Sequence, residues 1–170
     1  LVNDVIKISQ PDEGKQPYEK ETIDLYEMAR EILKRMEDHA KNEGVHLYLY
    51  GPHIKTNAVK SILDEILYNL CDNGIKYNKK GGSLTVTIGQ DEERPQITVE
   101  DTGIGISEED QKRIFERFYR VDKSHSKAIG GTGLGLSIVK HGTMFLGADM
   151  KVESTLGEGS RFILTLPEDE

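Results

Sequence analysis

Val59, Ile62, Leu63, Ile66, Leu67 and Leu70 recur at the three- and four-residue spacing of one helical face, and they predict a helix over about 57–77. The same segment carries a second, polar stripe: Glu65, Asn69, Asn73 and Lys76 at i, i+4, i+8 and i+11. Asparagine is a poor helix former, and a face that only meets water is better served by Glu, Lys or Gln. Two asparagines on one face therefore point toward a ligand.

The other periodicities place this helix in a two-layer arrangement. Residues 18–24 read as a short strand, and Asp24 is placed to cap a helix, with Glu27 three positions on. That helix runs to about Asn42, with Ile32, Leu33, Met36 and Ala40 inward, and Gly44 stops it. Val45–Tyr50 alternates as a strand and Gly51-Pro52 turns it. After a turn at Gly81-Gly82, Leu84–Ile88 and Gln96–Glu100 alternate as a hairpin joined through Asp91–Pro95. Ser107-Glu108-Glu109-Asp110 opens a short helix to about Phe115. Residues 119–132 have no period and are expected to form a mobile loop. Thr132 or Gly133 then starts a helix through Leu136, Ile138, Val139 and Met144. Met150–Ser154 and Arg161–Leu166 close the sheet around Gly157-Glu158-Gly159. At the front, Leu1, Val5 and Ile8 share a helical face that Pro11 and Asp12-Glu13-Gly14 end, and the acidic tail Glu168-Asp169-Glu170 is expected to fray. The sum is an α+β two-layer sandwich: a mixed, mostly antiparallel sheet of about five strands with three main helices on one face.

Composition narrows the function. The chain has 170 residues and a formal net charge of −8, which argues against a nucleic-acid footprint. No run approaches the ~20 apolar residues of a membrane span. The single Cys71 allows no internal disulfide and falls in an apolar helical run, where it reads as core. Against the acidic background, residues 111–127 hold six basic side chains and two acidic ones, an anion-attracting stretch. It lies between two glycine clusters, Asp101-Thr102-Gly103-Ile104-Gly105-Ile106 and Gly130-Gly131-Thr132-Gly133-Leu134-Gly135-Leu136. Neither cluster fits the dinucleotide fingerprint, and the phosphate-loop pattern is absent.

Four motifs then occur in a recognisable order. Asn69-Leu70-Cys71-Asp72-Asn73-Gly74-Ile75-Lys76-Tyr77 looks like the N box of bacterial sensor histidine kinases, and Asp101 to Ile106 like the first glycine box. Ile114-Phe115-Glu116-Arg117-Phe118-Tyr119-Arg120 is similar to the F box, and Gly131 to Leu136 to the second glycine box. From about residue 18 to 167 the chain resembles the catalytic ATP-binding domain of those kinases. The wider superfamily with this ATP-binding (Bergerat) fold includes the ATPase domains of DNA gyrase, mismatch-repair proteins and a heat-shock chaperone.

The resemblance implies ATP and Mg²⁺ as cofactors, and the residue chemistry agrees. Asp101 at a strand end can accept a hydrogen bond from the exocyclic amine of adenine, which guanine replaces by a carbonyl. Gly103 and Gly105 let the backbone approach the base, beside Ile106. Asn73 offers an amide oxygen to Mg²⁺, which takes its remaining ligands from phosphates and water. Gly131, Thr132, Gly133, Leu134, Gly135 and Leu136 present backbone N–H groups to the phosphates at a helix start. Lys76, Arg117, Arg120, Lys123 and Lys127 are candidates to neutralise the triphosphate. By the family pattern Tyr77 and Phe118 line the nucleotide side.

Asn69 separates sister activities. The ATP-hydrolysing relatives carry, four positions before the magnesium Asn, a Glu that activates water. An amide is no general base at neutral pH, so the γ-phosphoryl group is expected to be kept for an imidazole nucleophile, with Asn69 and Lys76 in catalytic roles. None of His39, His46, His53, His125 and His141 has the family's phosphoacceptor context. The resemblance therefore implies that residues 1–14 are the end of a dimerisation and phosphoacceptor hairpin helix with its linker, and 15–170 the catalytic domain. It also implies a cytoplasmic position in a longer membrane receptor, that hairpin and a response regulator as partners, and no nucleic acid. A serine kinase of the anti-sigma type, a non-catalytic nucleotide-gated interaction module and an ATPase motor remain as alternatives, the last disfavoured by Asn69. Three departures from the family bear on affinity: Gly74 where Ala is usual, His125 where a lid Arg is common, and Gly142 for an aliphatic residue.

Overall fold

A computed structural model of the chain describes residues 18–116 and 135–168. The helix expected over 1–10, the loop expected over 119–132, and the residues Arg117, Phe118, Arg120, Lys123, His125, Lys127 and Gly131 to Leu134 lie outside the described residues.

Strand β1 (Glu21–Asp24) leads directly into helix α1 (Leu25–Arg35). Asp24 caps it as expected, its carboxylate accepting the Glu27 N–H at 3.1 Å. The expected single helix to Asn42 is broken: Met36, at φ −100° and ψ 0°, separates α1 from α2 (Glu37–Glu43). The apolar face continues through the break, because Ile32, Leu33, Met36 and Ala40 are all buried. Gly44 ends α2 in the left-handed region at φ 71°, its N–H donating to the Lys41 carbonyl.

Strand β2 (His46–Tyr50) is followed by β3 (Lys55–Ala58), which pairs antiparallel with β1 as a separate two-stranded ladder. Helix α3 (Lys60–Lys76) thus begins after Val59, later than its periodicity suggests. Thr56 and Ala58 are buried in β3 while Lys55 and Asn57 face out. This period-two pattern is too short to separate from the helix signal beside it.

Strands β4 (Ser83–Asp91) and β5 (Arg94–Asp101) form the expected hairpin, but with a tighter connection. Asp91 pairs with Arg94, so only Glu92 and Glu93 turn, with Glu92 at φ 58°. Ser107 caps α4 (Glu108–Gln111), which stops short of Phe115. Helix α5 (Gly135–Leu146), β6 (Asp149–Thr155) and β7 (Gly159–Thr165) complete the described chain.

The main sheet has the order β2-β4-β5-β7-β6. Only the β2–β4 pair is parallel. Helices α1, α3 and α5 pack on one face, with α3 central over β4 and β5, α1 toward β2 and α5 toward β6. Leu84, Val86 and Ile88 of β4, Ile97 and Val99 of β5, and Phe162 and Leu164 of β7 point into that layer and are buried. Their partners there include Leu63, Ile66, Leu67 and Ile75. The mixed five-stranded sheet with three main helices on one face is the architecture that the sequence pattern predicts.

Two glycines that departed from the family pattern mark close approaches. A Cβ on Gly74 would lie 2.4 Å from Leu84 Cδ1, so the bare backbone lets α3 settle onto β4. A Cβ on Gly142 would lie 2.9 Å from Ile66 Cγ1 and 3.2 Å from Ile62 Cγ2, where α5 crosses α3. Whatever helix propensity these glycines forfeit, about 1 kcal/mol each, is set against the packing that they permit.

Candidate functional site

The site grows from one register row. Across the sheet Leu47 stands opposite Leu84, Leu84 opposite Asp101, Asp101 opposite Ser160, and Ser160 opposite Ser154. Side chains alternate along a strand, and Asp101 is in phase with Ile97 and Val99. The carboxyl at the end of β5 therefore points to the helix side and not to water. Burial is the largest influence on it and pushes its pKa up to about 6, with Glu100 adding repulsion, while the Gly103 and Ser160 backbone hydrogen bonds oppose the rise. Oδ1 of Asp101 accepts the Gly103 N–H at 2.8 Å.

The first glycine box is wedged between two backbones. A Cβ on Gly103 would sit 2.3 Å from the Tyr77 carbonyl oxygen, and one on Gly105 2.1 Å from the Thr155 carbonyl oxygen. Gly105 also has φ 71°, a conformation that a side chain resists. The Ile104 N–H donates to the Tyr77 carbonyl at 3.0 Å, and its carbonyl accepts the Gly157 N–H at 2.7 Å. Ile106 is buried, and its N–H donates to Ser154 Oγ at 2.7 Å. The box is thus clamped between the end of α3 and the β6–β7 turn.

The polar stripe of α3 faces the first described residue of α5. Asn69 Nδ2 donates to the Glu65 carbonyl at 2.7 Å, which turns its Oδ1 toward Gly135, the first residue of α5. A Cβ on Gly135 would lie 3.3 Å from Asn69 Oδ1, 3.7 Å from Asn73 Nδ2 and 4.0 Å from Asn73 Oδ1. Two amide side chains and the N-terminal side of the described part of α5 share one place. Leu136, the next residue, packs half-buried on the core. Amide oxygens suit a hard cation and a helix N-terminus suits phosphate, so this donor set fits a nucleotide with Mg²⁺.

Two candidates sit less simply. Lys76 is held by Asp72 one turn back, at 3.0 Å, with the Asp72 carboxylate also 3.8 Å from His39. Tyr77 ends α3, and it is the backbone carbonyl of this residue that the glycine box touches. In the F box, Ile114 is buried and Phe115 packs edge-on against Phe162 at 6.4 Å.

Sequence reasoning missed a set of supports. Asn78 donates to the carbonyls of Gly74 and Ser83, both at 2.9 Å, and accepts from Lys79 N–H and Thr102 Oγ1. Thr102 Oγ1 in turn accepts the Ser83 N–H at 2.9 Å. These bonds tie the end of α3 to the turn after Asp101. On the other side Ser154 Oγ lies 2.8 Å from both the Gly159 carbonyl and Ser160 Oγ, and Gln111 Nε2 donates to the Ile106 and Ser154 carbonyls. The readable sign was Ser154 and Ser160 themselves, small polar residues at positions whose phase is apolar. Cys71 is fully buried and its thiol is pushed up to about 12, a core residue as expected.

A family model described as histidine kinase-, DNA gyrase B-, and HSP90-like ATPase matches residues 58–170, which spans α3, Asp101 and both glycine boxes. The chain belongs to that family. Among its relatives, the sensor histidine kinase WalK of Bacillus subtilis (strain 168) is 33% identical over 174 residues, covering 100% of this chain and 28% of WalK. The sensor-like histidine kinase SenX3 of Mycolicibacterium smegmatis is 32% identical over 169 residues, 99% of this chain and 44% of SenX3. The chain therefore spans less than half the length of these curated relatives. Among solved structures, full-length ShkA in complex with AMPPNP is 27% identical with a TM-score of 0.77, over 98% of this chain and 35% of that one. The matched family is one of ATPases, so the chain is an ATP-binding domain of the histidine-kinase-like kind.

Proposed function

We propose that this domain binds Mg-ATP and donates the γ-phosphoryl group to a histidine on a dimerisation hairpin preceding it, for relay to a response-regulator aspartate. In this reading residues 1–14 are the end of that hairpin with its linker, and 15–170 the catalytic domain on the cytoplasmic side of a membrane receptor. The observation that carries the nucleotide half is Asp101: a carboxylate on the apolar face of the sheet, beneath a glycine box too tight for any side chain.

Asp101 accepts the adenine amine, and its oxygen already fixed by Gly103 N–H sets the carboxylate plane. Gly103, Gly105 and Ile106 form the wall beside the base, with Tyr77 at its edge, and Phe118 keeps the nucleotide-lining role that the family pattern gives it. The N–H groups from Gly131 to Leu136 take the phosphates, as the family pattern has it, and Lys76, Arg117, Arg120 and Lys123 offset their charge. Asn73 would hold Mg²⁺ through its amide oxygen, and the metal when bound supplies positive charge against the phosphates. Asn69 orients rather than deprotonates, since an amide takes no proton from water at neutral pH. An imidazole nucleophile needs position more than activation, which makes transfer the favoured outcome over hydrolysis.

The test has two stages. Calorimetric titration with Mg-ADP and a non-hydrolysable ATP analogue should show saturable, adenine-selective binding with no response to GTP. A longer chain that includes the upstream hairpin, given ATP, should then yield an acid-labile, base-stable phosphoprotein. An acid-stable product would assign the serine-kinase activity instead, and binding without any transfer would leave a nucleotide-gated interaction module.

A further inference from the structure

The two edges of the main sheet are built differently. Strand β6 ends one side and presents Asp149, Lys151 and Glu153 outward, each in an ion pair. Alternating charge is how an edge strand is protected from pairing with another chain. Strand β2 ends the other side, and among the described residues it has no such guard. Its outward residues are His46, Tyr48 and Tyr50, and the two tyrosine rings run nearly parallel, 5° apart in plane at 6.4 Å. The parallel register with β4 is set by His46, whose N–H donates to the Gly82 carbonyl at 2.9 Å. In such a pair alternate residues bond the neighbour, so the N–H and C=O groups of Leu47 and Leu49 face away from the sheet.

Those groups open into a groove of about 740 Å³ between β2 and the α1–α2 pair. Leu33, Ala40, Val45, Leu47 and Leu49 make its floor. Its far wall is a helical stripe, Arg30, Lys34, Glu37 and Lys41, at i, i+4, i+7 and i+11. Three of those four are basic, and His46 adds a fourth nitrogen base on the strand side, in a chain whose formal net charge is −8. Among the described residues Arg30 pairs with Glu27, while Lys34 and Lys41 have no carboxylate within ion-pair distance.

We propose that this groove takes up an extended acidic segment of a partner protein as an added strand on β2. The backbone of the segment bonds Leu47 and Leu49, alternate carboxylates meet Lys34 and Lys41 on the helix side, and the intervening apolar side chains lie beside Tyr48 and Tyr50. A second copy of this chain is the poorer occupant, because its own β2 brings no carboxylate to the basic stripe. A small anion uses neither the open backbone edge nor the exposed tyrosines.

The experiment is an amide-resolved NMR titration of the 170-residue chain with a capped octapeptide of alternating Glu and Val. The expected result is shifts and slowed hydrogen exchange at Leu47 and Leu49, with the lysine-for-glutamate peptide and an alternately N-methylated peptide both inactive. Lys34→Glu with Lys41→Glu, both exposed and neither among the proposed nucleotide residues, should weaken peptide binding about tenfold or more and leave affinity for AMPPNP unchanged. No response at β2 up to about millimolar peptide, or equal binding of the lysine peptide, overturns the proposal. So does a peptide-free dimer joined through β2 in sedimentation velocity, which would assign the edge to self-association.

Discussion

Replacing Asp101 by Asn separates what this residue does for binding from what it does to the fold. The amide keeps the carbonyl oxygen that accepts Gly103 N–H at 2.8 Å, so the glycine box keeps its anchor. What disappears is a charge that burial opposes. Burial lifts the carboxyl to about 6 from the 3.8 of a solvated aspartate. The native state therefore binds this proton more tightly than the unfolded chain. The associated stability is fully present below about pH 4 and is lost as the pH rises through about 6. A difference of about two pH units corresponds to a ceiling of about 3 kcal/mol. Asp101→Asn should accordingly be more stable than the parent at pH 7.5, by up to that amount, and equal to it near pH 4. Urea unfolding of both chains across pH 4–8 measures this. The nucleotide should respond in the opposite sense: an amide N–H facing the adenine amine loses a charged acceptor, about 2–3 kcal/mol or roughly 30- to 150-fold in affinity. A variant less stable than the parent at pH 7.5, or a stability difference that ignores pH, would refute the argument that Asp101 is held charged at the expense of the fold.

Further outcomes follow from the same contacts. Gly103→Ala places a methyl against the Tyr77 carbonyl and should cost about 2 kcal/mol or more in urea unfolding, along with nucleotide affinity by calorimetry. Asn78→Ala strips bonds from the Gly74 and Ser83 carbonyls and should cost about 1–3 kcal/mol, with hydrogen exchange accelerating first at Ser83 and Thr102. Gly142→Val overfills the α3–α5 contact at Ile66 and should destabilise by about 1–3 kcal/mol, partly relieved when combined with Ile66→Val. Binding of the ATP analogue to the parent chain should weaken as the pH drops below about 6, as Asp101 takes a proton, while Asp101→Asn shows no such step.

Much of this protein is written locally. The stripe of α3, the Asp24 and Ser107 caps and the stop at Gly44 each depend on residues within a turn or two, so a periodicity or a single side chain suffices to predict them. The candidate site that we propose for the nucleotide stands out in the sequence for a related reason. Asparagines on a helix and glycines after a strand cost stability that only a ligand or a close backbone approach accounts for. What stayed hidden depends on distant partners. Strand β3 exists because β1, some thirty residues earlier, supplies its ladder, and four residues carry too little period to announce themselves. Gly74 and Gly142 look like weakened helix positions until Leu84 and Ile66 arrive against them. The Ser154–Ser160 and Asn78–Thr102 links join segments that only the strand order makes neighbours. Sequence alone determined that an aspartate would follow β5 into a glycine turn. The tertiary structure decided that this aspartate shares the buried row with Leu84 and Ser160, because burial and register are properties of the assembled sheet and of no single strand.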